Sequence, residues 1–395
     1  MLKHTLSLAL LATTATTAMA ANVMVYGSID TGIQVLHNKG GDTNVTMESG
    51  QSWGSRFGLL ATEDLAEGYQ VIANLQNGYA SDSGSTLYNS DRNRFFSRES
   101  TLSLKTPYGQ FGMGRMGTLS GSVGTYSMWA GWADPLGTAY LDAGIQGTMY
   151  GLGRTDNTIV YQTPVYAGWQ AGLMYSFDGM AIDPSRDYET ESAGHTNRVA
   201  NAAVTYFGSQ FSMQAAVETV FWENNSKFNA KLKDSTDIGL SFQYDFNWAK
   251  FWLTGQYMKN VNMLGAHSVN ADIVRTDTST GLVNDSGEGI TGYAVAVAAK
   301  VPLWGGNWYT QLQFFDGEYD YSSTEKELEM KRYVASLGYV YNLSKKTWIY
   351  AMASHSVGGG SFELRNIGTL SVGEDGIYLF EPCEAGCCST LGQQH

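Results

Sequence analysis

Beyond its first twenty residues, this 395-residue chain has no run of the roughly 18 consecutive apolar residues that a membrane-spanning helix needs. Any crossing of a bilayer therefore has to be made by alternating strands. Cysteine is absent until Cys383, followed only by Cys387 and Cys388, so no disulfide framework staples the body of the protein. Charged residues make up only 15%, and the balance is acidic, with a formal net charge of −13. That balance argues against a nucleic-acid partner, which would call for a basic face. His4, His37, His195, His267, His355 and His395 are scattered, and none stands at metal-ligand spacing. Neither Gly112-Met113-Gly114 nor Gly151-Leu152-Gly153 has the strand-to-helix setting of a nucleotide loop. No catalytic constellation, cofactor or metal is expected. Cys383, Cys387 and Cys388 with His395 could be written as a metal set, but an odd, clustered count at a ragged terminus argues against it.

The chain is rich in glycine (46) and aromatics (24 Tyr, 16 Phe, 10 Trp) and has only 6 Pro, a composition suited to many strands joined by tight turns. Its dominant pattern has period two. Ile238, Leu240, Phe242, Tyr244 and Phe246 share one parity, while Asp237, Gly239, Ser241, Gln243 and Asp245 share the other. Successive strand side chains point to opposite faces, so this segment has one apolar and one polar side. The alternation recurs from Tyr69, Trp169 and Trp308. Periodicity alone fits either a soluble sandwich with its apolar sides inward or a closed sheet with them outward.

The connections favour the closed sheet. Short ones (residues 64–68, 106–109, 163–168, 207–209, 246–248, 301–306 and 342–346) alternate with long polar ones (37–51, 81–93, 117–156, 178–197, 223–233 and 263–288). Short and long ends on opposite rims are the mark of an up-and-down transmembrane barrel, here of about sixteen antiparallel strands. Tyr108, Tyr166, Trp169, Trp248, Trp252, Trp304, Trp308, Tyr341 and Trp348 gather where strands meet turns, as rings at headgroup depth do. Residues 1–20 read as a cleaved secretory signal, with Lys3, an apolar run from Leu6 to Ala12 and an Ala18-Met19-Ala20 cleavage site. One all-β barrel domain is expected over 21–380, followed by an atypical tail at 381–395.

Several segments in order resemble the trimeric general porins of Gram-negative outer membranes. They are VMVYGSIDTG at 23–32, SRFGL at 55–59 with EDLAEG at 63–68, RESTLSL at 98–104 with YGQFGMGR at 108–115, RTDNTIVYQTP at 154–164 and YNLSKKT at 341–347. The resemblance implies a sixteen-stranded outer-membrane barrel, a homotrimer in contact with lipid and lipopolysaccharide, that passes small hydrophilic solutes and ions by passive diffusion. It also implies that the third outer loop folds inward, and residues 117–153 hold that position.

The family places wall arginines at positions matching Arg56, Arg98 and Arg154, which would form the basic side of a constriction. Parity agrees for Arg56, which opposes Phe57 and Leu59. Arg98 shares parity with Leu102 and Leu104, so it faces inward only if the strand is interrupted. Asp134 and Asp142, in the inserted loop, could form the acidic side or could instead cap or anchor the loop. Asp272, Asp277, Asp285 and Glu288 could hold a divalent cation, although a solvated loop is the commoner case. Glu327 and Lys331 stand at helical spacing, but a charged strand end is more usual.

The family ordinarily ends on an aromatic residue. Here a last strand near 376–380 is followed by the cysteine-containing tail. Three other readings stay open: a substrate-specific barrel with Trp129 and Trp132 stacking a ligand, a barrel enzyme, and a secreted β-sandwich or adhesin.

Overall fold

A computed structural model describes residues 22–37, 41–87, 94–121, 123–136, 143–149, 151, 153–178, 197–222, 233–261, 276–277, 282–283, 288–319, 328–364, 368–372 and 378–382. The leader expected at 1–20, Asp142, Asp272, Asp285, Glu327 and the three cysteines lie outside the described residues.

Among the described residues, fifteen long strands follow one another: β1 (Asn22–Ser28), β2 (Arg56–Ala66), β3 (Tyr69–Tyr79), β4 (Glu99–Thr106), β5 (Gly109–Gly117), β6 (Arg154–Gln162), β7 (Trp169–Ser176), β8 (Arg198–Phe207), β9 (Phe211–Phe221), β10 (Ser235–Asp245), β11 (Lys250–Val261), β12 (Ile290–Leu303), β13 (Gly306–Tyr319), β14 (Leu328–Asn342) and β15 (Trp348–Leu364). Each pairs antiparallel with the next, and β16 (Gly368–Val372) continues the ladder from β15. The segment expected as the last strand, near 376–380, appears as Tyr378–Pro382, paired to β16. The late strands are tied back to the start of the ladder where Tyr350 Oη on β15 donates to Asp30 Oδ1, just past β1, at 2.7 Å. Asp30 Oδ2 also accepts the backbone N–H groups of Ser52 (2.7 Å) and Trp53 (2.6 Å), so one carboxylate ties three parts of the chain together.

The apolar parity faces outward. Val25, Leu59, Leu102, Met113, Ile159, Leu173, Ile238, Leu240, Leu253, Val297, Leu312 and Leu337 are all exposed, whereas Gln76, Asn74, Ser103, Asn201, Gln214, Ser241, Gln256 and Gln311 on the other parity are buried. A sandwich would hide the first set. Among the described residues no helix is long and apolar enough to cross a membrane.

An aromatic belt follows the short-turn rim, with Phe111 on Tyr161 (4.6 Å), Trp169 on Tyr206 (4.9 Å), Tyr244 on Phe246 (4.5 Å) and Trp304 on Trp308 (5.9 Å). Trp252 departs from the interfacial role expected of it. It lies between the outward Phe251 and Leu253, so its ring is inside and buried.

At the opposite rim, residues 31–49, expected to run from the first strand into a polar loop, form a separate hairpin of Thr31–His37 on Thr43–Ser49. Lys331 belongs to β14 rather than to a helical turn, and its ammonium faces Asp316 at 3.5 Å. Glu288 pairs with Lys233.

The buried apolar cluster does not lie between two sheets. It lies between the inner wall and the segment joining β5 to β6. Leu119, Tyr126, Met128, Trp129, Ile145 and Met149 pack with wall residues that include Val160, Met174, Ala203, Ala216, Ala294 and Phe315.

Candidate functional site

Between β5 and β6 the chain turns into the barrel, with a one-turn helix at Ala130–Ala133 and a 3-10 turn at Ile145–Gly147. Its path along the inner wall can be followed by its hydrogen bonds. Thr125 donates N–H to Glu99 Oε1 of β4 at 2.6 Å, and the Tyr126 hydroxyl lies 2.6 Å from Ser103 Oγ. Ser120 donates to Glu218 of β9, and Asn201 of β8 donates to the same carboxylate oxygen at 2.6 Å. The carbonyl of Trp132 accepts from Gln243 of β10 and, at 3.1 Å, from Trp252 Nε1 of β11. Thr254 Oγ1 donates to Ala133 O at 2.7 Å, and Gln313 Nε2 of β13 donates to Gly144 O at 2.9 Å. The segment thus lines the wall from β4 round to β13, and its backbone polar groups find wall side chains in place of water.

Three inward glycines make room for it. A Cβ on Gly112 (β5) would lie 2.2 Å from Tyr126 Oη, one on Gly172 (β7) 2.7 Å from Met128 Sδ, and one on Gly239 (β10) 2.3 Å from Trp129 Cε2. Only a residue without a side chain lets these groups approach the sheet so closely.

The residues expected to line a constriction divide. Arg98 stands in the bend just before β4, outside the strand's alternation, which is why it turns inward while Leu102 and Leu104 face out. It heads a relay across the wall. Arg98 Nε donates to Gln76 Oε1 (2.8 Å), Gln76 Nε2 donates to Tyr26 Oη (2.8 Å), Tyr26 Oη donates to Asn74 Oδ1 (2.5 Å), and Asn74 Nδ2 donates to Glu99 Oε2 (2.6 Å). Glu99 holds Thr125, so wall and loop form one network. Arg56 shares the inner face with Gly58, and its guanidinium carbon stands 4.6 Å from the centroid of the Trp53 ring. Arg154 is the half-buried first residue of β6, opposite Gly117.

Asp134 is the loop's own anchor. Its carboxylate accepts N–H from Leu136 (2.8 Å) and Ile145 (2.6 Å) and the Gln311 amide of β13 (2.7 Å), with only 5% of the residue exposed. Burial pushes its pKa up to about 7, against those three donors, which lower it. The structure therefore places Asp134 against β13, on a different stretch of wall from the relay headed by Arg98. Of the capping, anchoring and pore-lining roles open to it, the geometry is that of an anchor.

Sequence reading passed over Glu99 and Glu218, the carboxylates that hold the loop, and the cluster in which Asp156 receives Arg94 (2.6 Å) and Arg115 (2.5 Å). A signal for the first two was present, since Glu99 shares parity with Thr101 and Ser103, and Glu218 with Gln214.

A sheet closed on itself, apolar without, polar within and lined by an inserted loop, defines the class of outer-membrane β-barrels. A family profile described as Gram-negative porin matches residues 7–359, and the chain belongs to that family. It is 28% identical over 387 residues to an outer membrane porin protein of Bordetella pertussis, covering 90% of this chain and 94% of the relative. It is 25% identical over 383 residues to outer membrane porin protein 32 of Delftia acidovorans, covering 96% and 94%. The solved structure of an anion-selective porin from Comamonas acidovorans has the same fold, with TM-score 0.60 at 21% identity over 88% of this chain and 91% of that one. The trimer form of OmpT, an outer membrane protein of Vibrio cholerae, gives TM-score 0.52 at 15% identity over 93% and 96%. The protein is an outer-membrane porin.

Proposed function

We propose that the barrel is a water-filled pore for passive diffusion of small hydrophilic solutes and ions, with no enzymatic activity, working as a homotrimer in contact with outer-membrane lipid and lipopolysaccharide. The observation that carries the pore reading is the inversion of the sheet, whose apolar side chains are exposed on the outside while a polar inner wall is narrowed by an inserted loop. Low-dielectric walls focus the field of the charges left in such a lumen. In this reading Arg56, Arg98 and Arg154 supply the basic side of the narrow zone, and Asp142 is proposed for its acidic side. Residues 1–20 serve as the export leader, 21–380 as the barrel and 381–395 as an appended tail.

The trimer has support in the rim hairpin. Ile33 opposes Met47 and Val35 opposes Val45 on one face, and all four are well exposed in the single chain. An apolar face of this kind fits burial against a second copy.

Planar-bilayer recording tests the pore, with stepwise KCl conductance in groups of three expected. Purified protein that inserts and carries no current would overturn it. Val35→Glu with Val45→Glu should shift the assembly towards monomer on light scattering, and an unchanged trimer would remove the hairpin from the interface.

A further inference from the structure

We propose that the inner wall beside the short-turn rim carries a binding subsite for small aromatic carboxylates, formed by Trp132, Phe207, Trp252, Lys250, Lys300 and Tyr309. The proposal rests on the water-filled pore described above. Trp132 is the anomaly from which it starts. Trp132 belongs to the inserted loop, its carbonyl is fixed by Gln243 and Trp252, and yet its residue is 50% exposed. The neighbouring Trp129 lies completely buried against Gly239. A large ring held in place and left open to water is a surface for stacking.

The ring's surroundings define what would stack. Phe207, the last residue of β8, meets Trp132 edge-on at 5.0 Å and sets its orientation. Trp252 links it to a positive charge, since Trp252 Nε1 donates to Trp132 O and Lys250 Nζ stands 5.1 Å from the Trp252 ring centroid. Lys250 and Lys300 are register partners on β11 and β12, and both share the parity of the inner wall. Lys300 Nζ lies 5.7 Å from the ring of Tyr309 on β13. Ammonium groups side by side repel, and an anion between them relieves that repulsion.

One carboxylate is already near. Asp245 pairs with Lys250 across β10 and β11, but its Oδ1 accepts the Asn247 N–H of the turn at 2.8 Å. Two lysines against one aspartate leave a single positive charge, which selects a monoanion. A flat ring on Trp132 with one carboxylate reaching the lysines satisfies both halves of the site.

Benzoate is the probe, with acetate (charge without ring) and benzyl alcohol (ring without charge) as controls. Each is titrated against single-channel KCl current. Benzoate should block saturably, with an apparent dissociation constant roughly tenfold below that of either control. Trp132→Ala should erase most of that preference, and Lys250→Gln with Lys300→Gln should do the same without touching the loop. Each variant is read against its own KCl conductance. Equal block by benzoate and acetate overturns the proposal, as does full benzoate preference in either variant. A native chain that carries no KCl current would instead overturn the pore reading itself.

Discussion

Replacing Gly239 with alanine tests how firmly the inserted loop is docked. The added Cβ would stand 2.3 Å from Cε2 and 2.4 Å from Cζ2 of Trp129. The indole is rigid and completely buried, so it can yield only by displacing the groups packed around it. Forcing a methyl group into such a contact costs about 1–3 kcal/mol. That is a factor of about 5 to about 150 in the ratio of docked to undocked loop. Gly255→Ala supplies the control, because a Cβ there meets only Ala294 O, at 3.8 Å. Single-channel recording reads the outcome, with Gly239→Ala expected to show added noise and altered conductance levels and Gly255→Ala to match the native trace. Combining Gly239→Ala with Trp129→Ala should be markedly less damaging than the sum of the two, since the methyl then enters vacated space. Traces of Gly239→Ala and Gly255→Ala that cannot be told apart would refute the docking of Trp129 against β10.

Three more outcomes are expected. Asp134, raised from 3.8 to about 7 when docked, keeps a proton that a released loop gives up, so docking is firmest on the acid side of that window. It weakens as pH rises through the window and levels off above about 7, and Asp134→Asn should flatten the dependence of dwell times on pH. Leu240→Arg puts a charge on the outer face and should cost about 2–4 kcal/mol in urea titrations of vesicle-embedded barrel if the site lies near the bilayer midplane. An unaffected titration would move Leu240 away from lipid. Asp30→Ala removes the shared acceptor of two backbone N–H groups and the Tyr350 hydroxyl and should cost about 1–3 kcal/mol, whereas Tyr350→Phe should cost about 1 kcal/mol. Equal losses would mean that the Tyr350 bond alone accounts for the contribution of Asp30.

The barrel was legible because its two physical requirements are written in one dimension. Parity places Leu240 outside and Ser241 inside, and loop length separates the rims, without any knowledge of tertiary contacts. Trp252 shows the cost of setting parity aside: grouped with turn aromatics by its position near Asn247, it is inward by its place between Phe251 and Leu253. Arg98 shows the opposite limit, since a bend before β4 cancels the alternation that would have pointed it outward.

Asp134 could not be assigned from sequence because its role depends on Gln311, remote in the chain and brought beside it only when the sheet curls. The same holds for Gly112, Gly172 and Gly239. Each reads as an ordinary small residue of the polar parity until the ring opposite it is known. The rim hairpin at 31–49 carried a period-two signal short enough to be absorbed into the first strand and its loop.

The inserted segment is bonded to the wall at points from β4 to β13, and it therefore acts as an internal strut. Here the bonds of Gln313, Thr254, Glu218 and Glu99 hold the segment to four separate strands, so that segment and wall form one framework. The position of the inserted segment and the curvature of the wall are thus a single structural variable, set by one group of bonds.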